Sequence, residues 1–378
     1  MRVLILIPDL PSDINDIKGG VHSALINLLN GFKNKDVTIR VVAFKKKINN
    51  YILQFSDNIE IHYINEGIFP FHSLNFFLFG SYYLQKEIKQ FLPDIIHYQA
   101  GNTFLFTQLF IKIKVPIVLT LHGFAIEEAK RKTKWIDKIT WYYNGFVNKL
   151  LIPQNIIHLS EFSKSKINSQ KIKKSTVIPN SVVEDYFKVP VKRNTTNKLL
   201  YIGVIDNNKN LFYTLSILKK LIDNNYNYSI DVLGGFSNDS IKEIILNQVE
   251  SLGLQKNVNF RGWVNKVDVI SYLENNDILV VSSKHESLPM VIAESMASSK
   301  IVVCSDVGGI PEMILDKKTG FLHQLSNPDS IYQILTLLYN NEALINEIGK
   351  NAKDYALRNF HCSNVAEKTI SFYEQLIE

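Results

Sequence analysis

Cysteine is nearly absent. The two present, Cys304 and Cys362, stand far apart, with no CxxC pair and no histidine cluster beside them. That excludes a disulfide framework and a structural zinc site, and a reducing cytoplasm is the expected location. No Gly-, Ser- or Pro-rich tract occurs, and with 46% hydrophobic and 21% charged residues the 378-residue chain reads as globular throughout. A bilayer-spanning run is also missing. The most apolar stretch, IFPFHSLNFFLFGSYYL (68–84), is interrupted by Pro70, His72, Asn75 and Gly80 and reads as a loop and a buried helix. The opening MRVLILIPDL has one basic residue and a short apolar run ending at Pro8 and Asp9, which suits a first strand better than an export signal. The formal charge of +6 is mild and no nucleic-acid motif accompanies it, so no nucleic-acid partner is expected. Neither half opens with a GxGxxG turn, which disfavours a dinucleotide-dependent dehydrogenase, and there is no convincing DxD metal motif.

What the chain does have is alternation. Short β-branched runs are followed by glycine or polar punctuation and then by helical periodicity: RVLILI (2–7) before VHSALINLLNGF (21–32), then VTIRVVAF (37–44), IIHY (95–98) and PIVLTLHG (116–123). A Lys- and Asn-rich stretch over 188–198 reads as a linker, after which the pattern restarts. KLLYIGVID (198–206) resembles the opening strand, and YSIDVLGG (228–235), NVNFRGW (257–263), DILVVSS (277–283) and KIVVCSDVGG (300–309) follow it. Two consecutive doubly wound parallel sheets are the economical architecture, with ligands expected beyond the carboxyl ends of the strands and in the cleft the two sheets would face.

The segment HESLPMVIAESMA (285–297) places two glutamates eight positions apart around an apolar run. An acid in a first helical turn is favoured by the helix dipole, and Pro289 suits the first helical position. Glu294 has no such account, because Ile292, Ala293, Met296 and Ala297 put it on a helix whose faces look buried. Buried acids need partners. On pattern alone the pair fits either a structural network or a ligand site. His97, His122 and His158 each close an apolar run, and by pattern each also reads as a core histidine.

In order and spacing, these blocks resemble the retaining glycosyltransferases of family four, also called group one, which have the two-Rossmann GT-B architecture. The carrying residues are Glu286 and Glu294 with seven residues between them, IGVIDNNKN (202–210), VLGG (232–235), NVNFRGWV (257–264) and SDVGGIPEMI (305–314). The first half contributes GGVHSAL (19–25), TLHGF (120–124), HLSEFSK (158–164) and IPNSV (178–182). The closing RNFHCSNVAEKTISFYEQLIE (358–378) resembles the family's last helix, which crosses back to the N-terminal domain. The domains implied are an acceptor-side domain over 1–185 with the closing helix at about 358–378, and a nucleotide-sugar domain over 195–357.

The resemblance implies a nucleotide diphospho-sugar donor, a uridine nucleotide foremost, with no metal or other cofactor. Lys209 matches the phosphate-binding lysine, Glu294 the acceptor of the ribose hydroxyls, and Glu286 the residue against the sugar ring. His122 matches the active-site histidine of the first domain. The start of the Glu294 helix, at Ser287, Leu288 and Met290, would offer backbone N–H groups to the distal phosphate. Gly203, Gly234, Gly262, Trp263 and Val264 match donor-side backbone neighbours, and Gly19 and Gly20 a turn near the phosphates and the acceptor. One departure is plain: where the family has an arginine directly after the glycine equivalent to Gly203, this chain has Val204, with Arg261 and Lys284 as candidate substitutes.

The acceptor implied is a glycan or a lipid-linked sugar, as in bacterial relatives that build surface polysaccharide. Residues 127–151 are basic at their start and carry Trp135, Ile139, Tyr142, Phe146 and Leu150 at near-helical spacing. That pattern fits an ordinary docking helix with its aromatics in the core, or a helix lying on the inner face of the plasma membrane. Two other functions share the architecture: a nucleotide-sugar epimerase, and a catalytically weak member that binds a nucleotide or a partner.

Overall fold

A computed structural model describes residues 1–14, 19–45, 48–65, 80–99, 111–124, 129, 135–167, 169–190 and 197–378. Most of the apolar stretch 68–84, the basic start of 127–151 and the centre of the 188–198 stretch lie outside the described residues. The chain forms two compact units, one of residues 1–14, 21–179 and 363–378, the other of residues 15–20 and 180–362.

The first unit is built on an eight-stranded sheet: β1 (Arg2–Ile7), β2 (Thr38–Lys45), β3 (Tyr51–Ser56), β4 (Ile59–Asn65), β5 (Ile95–Tyr98), β6 (Ile117–Thr120), β7 (Asn155–His158) and β8 (Lys174–Val177), in the order β3-β4-β2-β1-β5-β6-β7-β8. All pairs are parallel except the β3–β4 hairpin. Its described helices include α1 (Gly20–Phe32), α2 (Ser81–Phe91), α3 (Trp135–Leu151) and α4 (Glu161–Ser165). Central strands β1 and β5 are buried almost end to end, as parallel strands covered on both faces must be. The core is Leu4, Leu6, Val42, Ile96, Tyr98, Leu119 and Ile156 with α2 side chains over them.

The second unit has six parallel strands: β9 (Lys198–Ile202), β10 (Ser229–Leu233), β11 (Val258–Gly262), β12 (Ile278–Val281), β13 (Ile301–Ser305) and β14 (Phe321–His323), in the order β11-β10-β9-β12-β13-β14. The helices are α5 (Glu184–Phe187), α6 (Leu211–Asp223), α7 (Asp239–Ser251), α8 (Lys266–Asn275), α9 (Met290–Ala297), α10 (Pro328–Leu338) and α11 (Glu342–Phe360). The last helix, α12 (Cys362–Ile377), begins at the division and belongs to the first unit from residue 363 on.

Three readings from the sequence change here. The 188–198 stretch does not separate the units, because the division falls at 179–180 and α5 already belongs to the second. Pro289 caps α9 instead of opening it, so Glu286 lies in the loop before the helix and not in its first turn. The aromatic stripe of α3 is not core: Trp135 is 69%, Ile139 57% and Phe146 64% exposed.

Candidate active site

Strand order in the second unit reverses at β9–β12, the point where connections diverge to opposite sides and a crevice opens at the strands' carboxyl ends. The two loops leaving this point are latched together. Asp206 accepts hydrogen bonds from the amides of Asn208 (2.9 Å) and Lys209 (2.7 Å), an aspartate turn that folds the loop after β9. The Asn208 amide nitrogen donates to the His285 carbonyl (3.0 Å), and the Lys284 amide donates to the Asn208 carbonyl (2.8 Å). Below them, the Thr214 hydroxyl of α6 donates to the Ser282 hydroxyl at 3.0 Å.

The latch carries Lys209 onto Glu286, Nζ to Oε1 at 2.6 Å, with both side chains largely shielded from water. Glu286 is held from behind by backbone: its carbonyl accepts from the Gly309 amide at 3.1 Å. Gly308, at φ +59, passes so close that a Cβ there would sit 1.9 Å from the Glu286 carbonyl oxygen, so only glycine fits. Across β9 and β10 the same holds for Gly234, at φ +134, whose Cβ would meet the Gly203 carbonyl oxygen at 1.9 Å. Burial, with the nearby Glu286 carboxylate adding to it, pushes the Cys304 thiol well up, leaving it neutral; both cysteines are buried and neither forms a disulfide.

Helix ends at this point differ from those of α7, α8, α10 and α11, and from α5, which lacks a side-chain cap but carries Glu184 and Asp185 in its first turn. Helices α7, α8, α10 and α11 each start at an asparagine whose side chain accepts a backbone N–H. Helices α6 and α9, which follow β9 and β12, have no side-chain cap, and neither has an acid in its first turn. Their positive dipole ends are therefore left without the anion that usually sits there. Ser287 and Leu288 lie on the approach to α9 and Met290 is its first residue, with Leu288 and Met290 buried.

Glu294, in the second turn of α9, has partners. The Tyr186 hydroxyl of α5 hydrogen-bonds to its carboxyl group and the Lys266 charge lies near. Burial dominates, however, and pushes the carboxyl up to about 7. The Ser298 hydroxyl lies within hydrogen-bonding distance of both the Tyr186 carbonyl (3.1 Å) and the Glu294 carbonyl (2.9 Å), holding the two backbones together. Lys266 pairs with Asp185 at 2.6 Å.

Arg261 is committed elsewhere, its Nε 2.9 Å and its terminal nitrogen 2.8 Å from Asp231 Oδ1 on the neighbouring strand. Lys284 points outward, an exposed residue whose backbone serves the latch. Val204 is half-buried and its carbonyl accepts from the Tyr201 hydroxyl at 3.2 Å. Gly262 bridges to Gly234, Trp263 is 57% exposed with its indole edge against Gly235, and Val264 is half-buried. Gly19 and Gly20 stand at the start of α1 and are counted with the second unit.

In the first unit, His122 follows β6 by two residues and its Nε2 lies 2.9 Å from Gln99 Oε1. Burial, and secondarily the charge of His22, hold its imidazole down at about 4, so it is neutral near pH 7. The sequence reading missed Gln99 and Tyr186, since no spacing or motif distinguishes either. Asp206 was missed as well, although an aspartate directly before NNKN is the signal of an aspartate turn. Among the described residues no group of three metal-ligating side chains occurs. A separate groove of about 650 Å³, lined by Asp316, Lys317, Gln324, Asn327 and Gln333 among others, shares no residue with this constellation.

Two known families each match one half of the chain. The family described as Glycosyltransferase Family 4 matches residues 18–186, and the family described as Glycosyl transferases group 1 matches residues 182–355. The Escherichia coli UDP-Gal:alpha-D-GlcNAc-diphosphoundecaprenol alpha-1,3-galactosyltransferase is 24% identical over 313 residues, 78% of each chain. Among solved structures, sucrose-phosphate synthase from Thermosynechococcus elongatus superposes with a TM-score of 0.80 at 15% identity, covering 99% of this chain and 98% of its own. Anabaena HepE in complex with UDP-glucose superposes at 0.74 with 16% identity, over all of both chains. With the group 1 family covering the half that holds Lys209, Glu286 and Glu294, and the GT-B fold matched from end to end, this chain is a glycosyltransferase of the group 1 type.

Proposed function

We propose that the protein transfers a sugar from a UDP-sugar to a glycan or lipid-linked acceptor, with retention of configuration and without a metal ion. The observation that carries this reading is the 2.6 Å Lys209–Glu286 pair at the β9–β12 switch point, beside two helix ends that no side chain caps. A diphosphate leaving group needs positive charge that is in place before the bond breaks. Lys209 and the α9 dipole end supply it, Lys209 exchanging Glu286 for phosphate as the donor binds. Glu286, released, faces the sugar hydroxyls. Glu294 accepts from the ribose hydroxyls, for which two carboxylate oxygens suit.

In the proposed step an acceptor oxygen attacks the anomeric carbon from the face the diphosphate leaves. The carbon–phosphate oxygen bond breaks, and the acceptor's proton passes to the departing phosphate. His122 is assigned a hydroxyl of the sugar or of the acceptor. The UDP-glucose bound by HepE and the lipid diphosphate named for the Escherichia coli relative support the uridine nucleotide and a lipid-linked acceptor. The exposed stripe of α3 supports action at the inner face of a membrane, although no described helix is long and apolar enough to cross one.

The test is transfer of labelled sugar from a panel of UDP-sugars to polyprenyl-diphosphate sugars in vesicles, with EDTA present. Acceptor-dependent UDP release and a product of the donor's anomeric configuration are expected. An inverted product would overturn the retaining mechanism, loss of activity with EDTA the metal independence. Donor conversion without acceptor would favour an epimerase.

A further inference from the structure

Behind His122 lies a buried chain of polar side chains that the proposed chemistry does not use. His97, on β5, is fully buried: its Nδ1 meets the Tyr373 hydroxyl of α12, and its Nε2 lies 2.8 Å from the Thr120 hydroxyl at the end of β6. Gln99, 2% exposed, has its backbone fixed by donation to the Leu6 carbonyl at 2.9 Å. Its side-chain amide nitrogen lies 3.3 Å from His97 Nε2, and its Oε1 lies 2.9 Å from His122 Nε2. His122 Nδ1 is buried and has no hydrogen-bond partner among the described residues.

These contacts decide where the one proton of a neutral His122 sits. An amide oxygen only accepts, so a hydrogen bond between it and Nε2 requires Nε2–H. The amide's other end cannot exchange with it without cost, because its N–H groups face the His97 ring, which Thr120 and Tyr373 hold in place. We propose that Gln99 is a positioning residue that locks His122 in the Nε2-protonated tautomer, so that Nδ1 presents a lone pair to a hydroxyl of the donor or acceptor sugar. The imidazole is thereby a hydrogen-bond acceptor and not a donor. It suits a sugar O–H, and it would repel a phosphate oxygen or a carbonyl. Burial of both histidines agrees, since it holds His97 down at about 3 and keeps either ring from taking a second proton. This inference rests on the assignment of His122 to a substrate hydroxyl made above.

The experiment is nitrogen-15 NMR of histidine-labelled full-length protein, with His122 assigned by its loss in His122→Ala. A pyrrole-like Nε2 and a pyridine-like Nδ1 are expected, and the reverse pattern overturns the proposal. Gln99→Leu should convert the signals toward a tautomer mixture and lower turnover about tenfold with the UDP dissociation constant unchanged. Unaltered signals in that variant overturn it. Gln99→Glu retains an acceptor at the same position, so it should keep Nε2 protonated; it reads the same question if the leucine variant fails to fold. Full transfer activity in His122→Ala with the expected tautomer in wild type would instead refute the substrate-facing role of His122 and leave the lock standing.

Discussion

At the scale of single residues, the site rests on two acids and the partners the fold brings to them. Glu294 is the clearest case, because burial raises its carboxyl to about 7 from an ordinary 4.5 while Tyr186 and Lys266 offset only part of that. A carboxyl group raised in the folded state contributes stability that is present below its unfolded value and lost as pH rises through the folded one. Glu294→Gln should therefore melt roughly 2–5 °C above wild type at pH 8 and level with it near pH 4. The same substitution should weaken UDP binding, and wild-type affinity should fall as pH drops below about 7. A variant less stable than wild type at pH 8 would contradict the assignment. For Glu286, whose proposed task is the sugar and not the nucleoside, Glu286→Gln should cut turnover about a hundredfold while the UDP dissociation constant changes little; activity equal to wild type would contradict that role. Both acids were legible in the sequence as a pair needing an explanation. Their partners were not: Lys209 lies 77 positions from Glu286 and Tyr186 lies 108 positions before Glu294, and only the fold brings them together.

Elements explain why the pair ends up where it does. Alternating strands and helices gave the parallel order, and the reversal at β9–β12 follows from topology that composition does not encode. The β3–β4 hairpin was overlooked because Tyr51–Ser56 is a half-exposed edge strand whose tight turn, Asp57-Asn58, lacks glycine. Helix α3 shows the opposite limit. Its periodicity was legible, but periodicity says only that one face is apolar, and not what covers it. In the structure Trp135, Ile139, Tyr142, Phe146 and Leu150 are all exposed. A vesicle flotation experiment with phosphatidylglycerol membranes tests their use. Trp135→Glu with Phe146→Glu should abolish flotation and leave the melting temperature within about 1 °C, since substitutions at exposed sites seldom matter to stability. Undiminished flotation, or a variant that melts much lower, would mean the stripe serves another purpose.

For the whole molecule, the alternation of strands and helices pointed to an α/β protein, and the order of the motif blocks pointed to a group 1 glycosyltransferase, which the two family matches over residues 18–186 and 182–355 support. The sequence placed the domain boundary in the polar 188–198 stretch, whereas the division falls at 179–180, because Val182, Tyr186 and Ser298 bond to the second unit's own helices. The proposed function rests on one nucleotide sugar being held jointly, by Lys209 at its phosphates, Glu286 at its sugar and Glu294 at its ribose. The most direct test is a melting series of the full chain with UDP, GDP and ADP and their sugars, alongside Lys209→Ala and Glu294→Ala. At 100 times its dissociation constant a ligand adds about 2.7 kcal/mol to the native state. The account predicts a rise in melting temperature with UDP and a UDP-sugar above that with the other nucleotides, reduced in both variants. No rise with any nucleotide, or an equal rise in wild type and both variants, would contradict it.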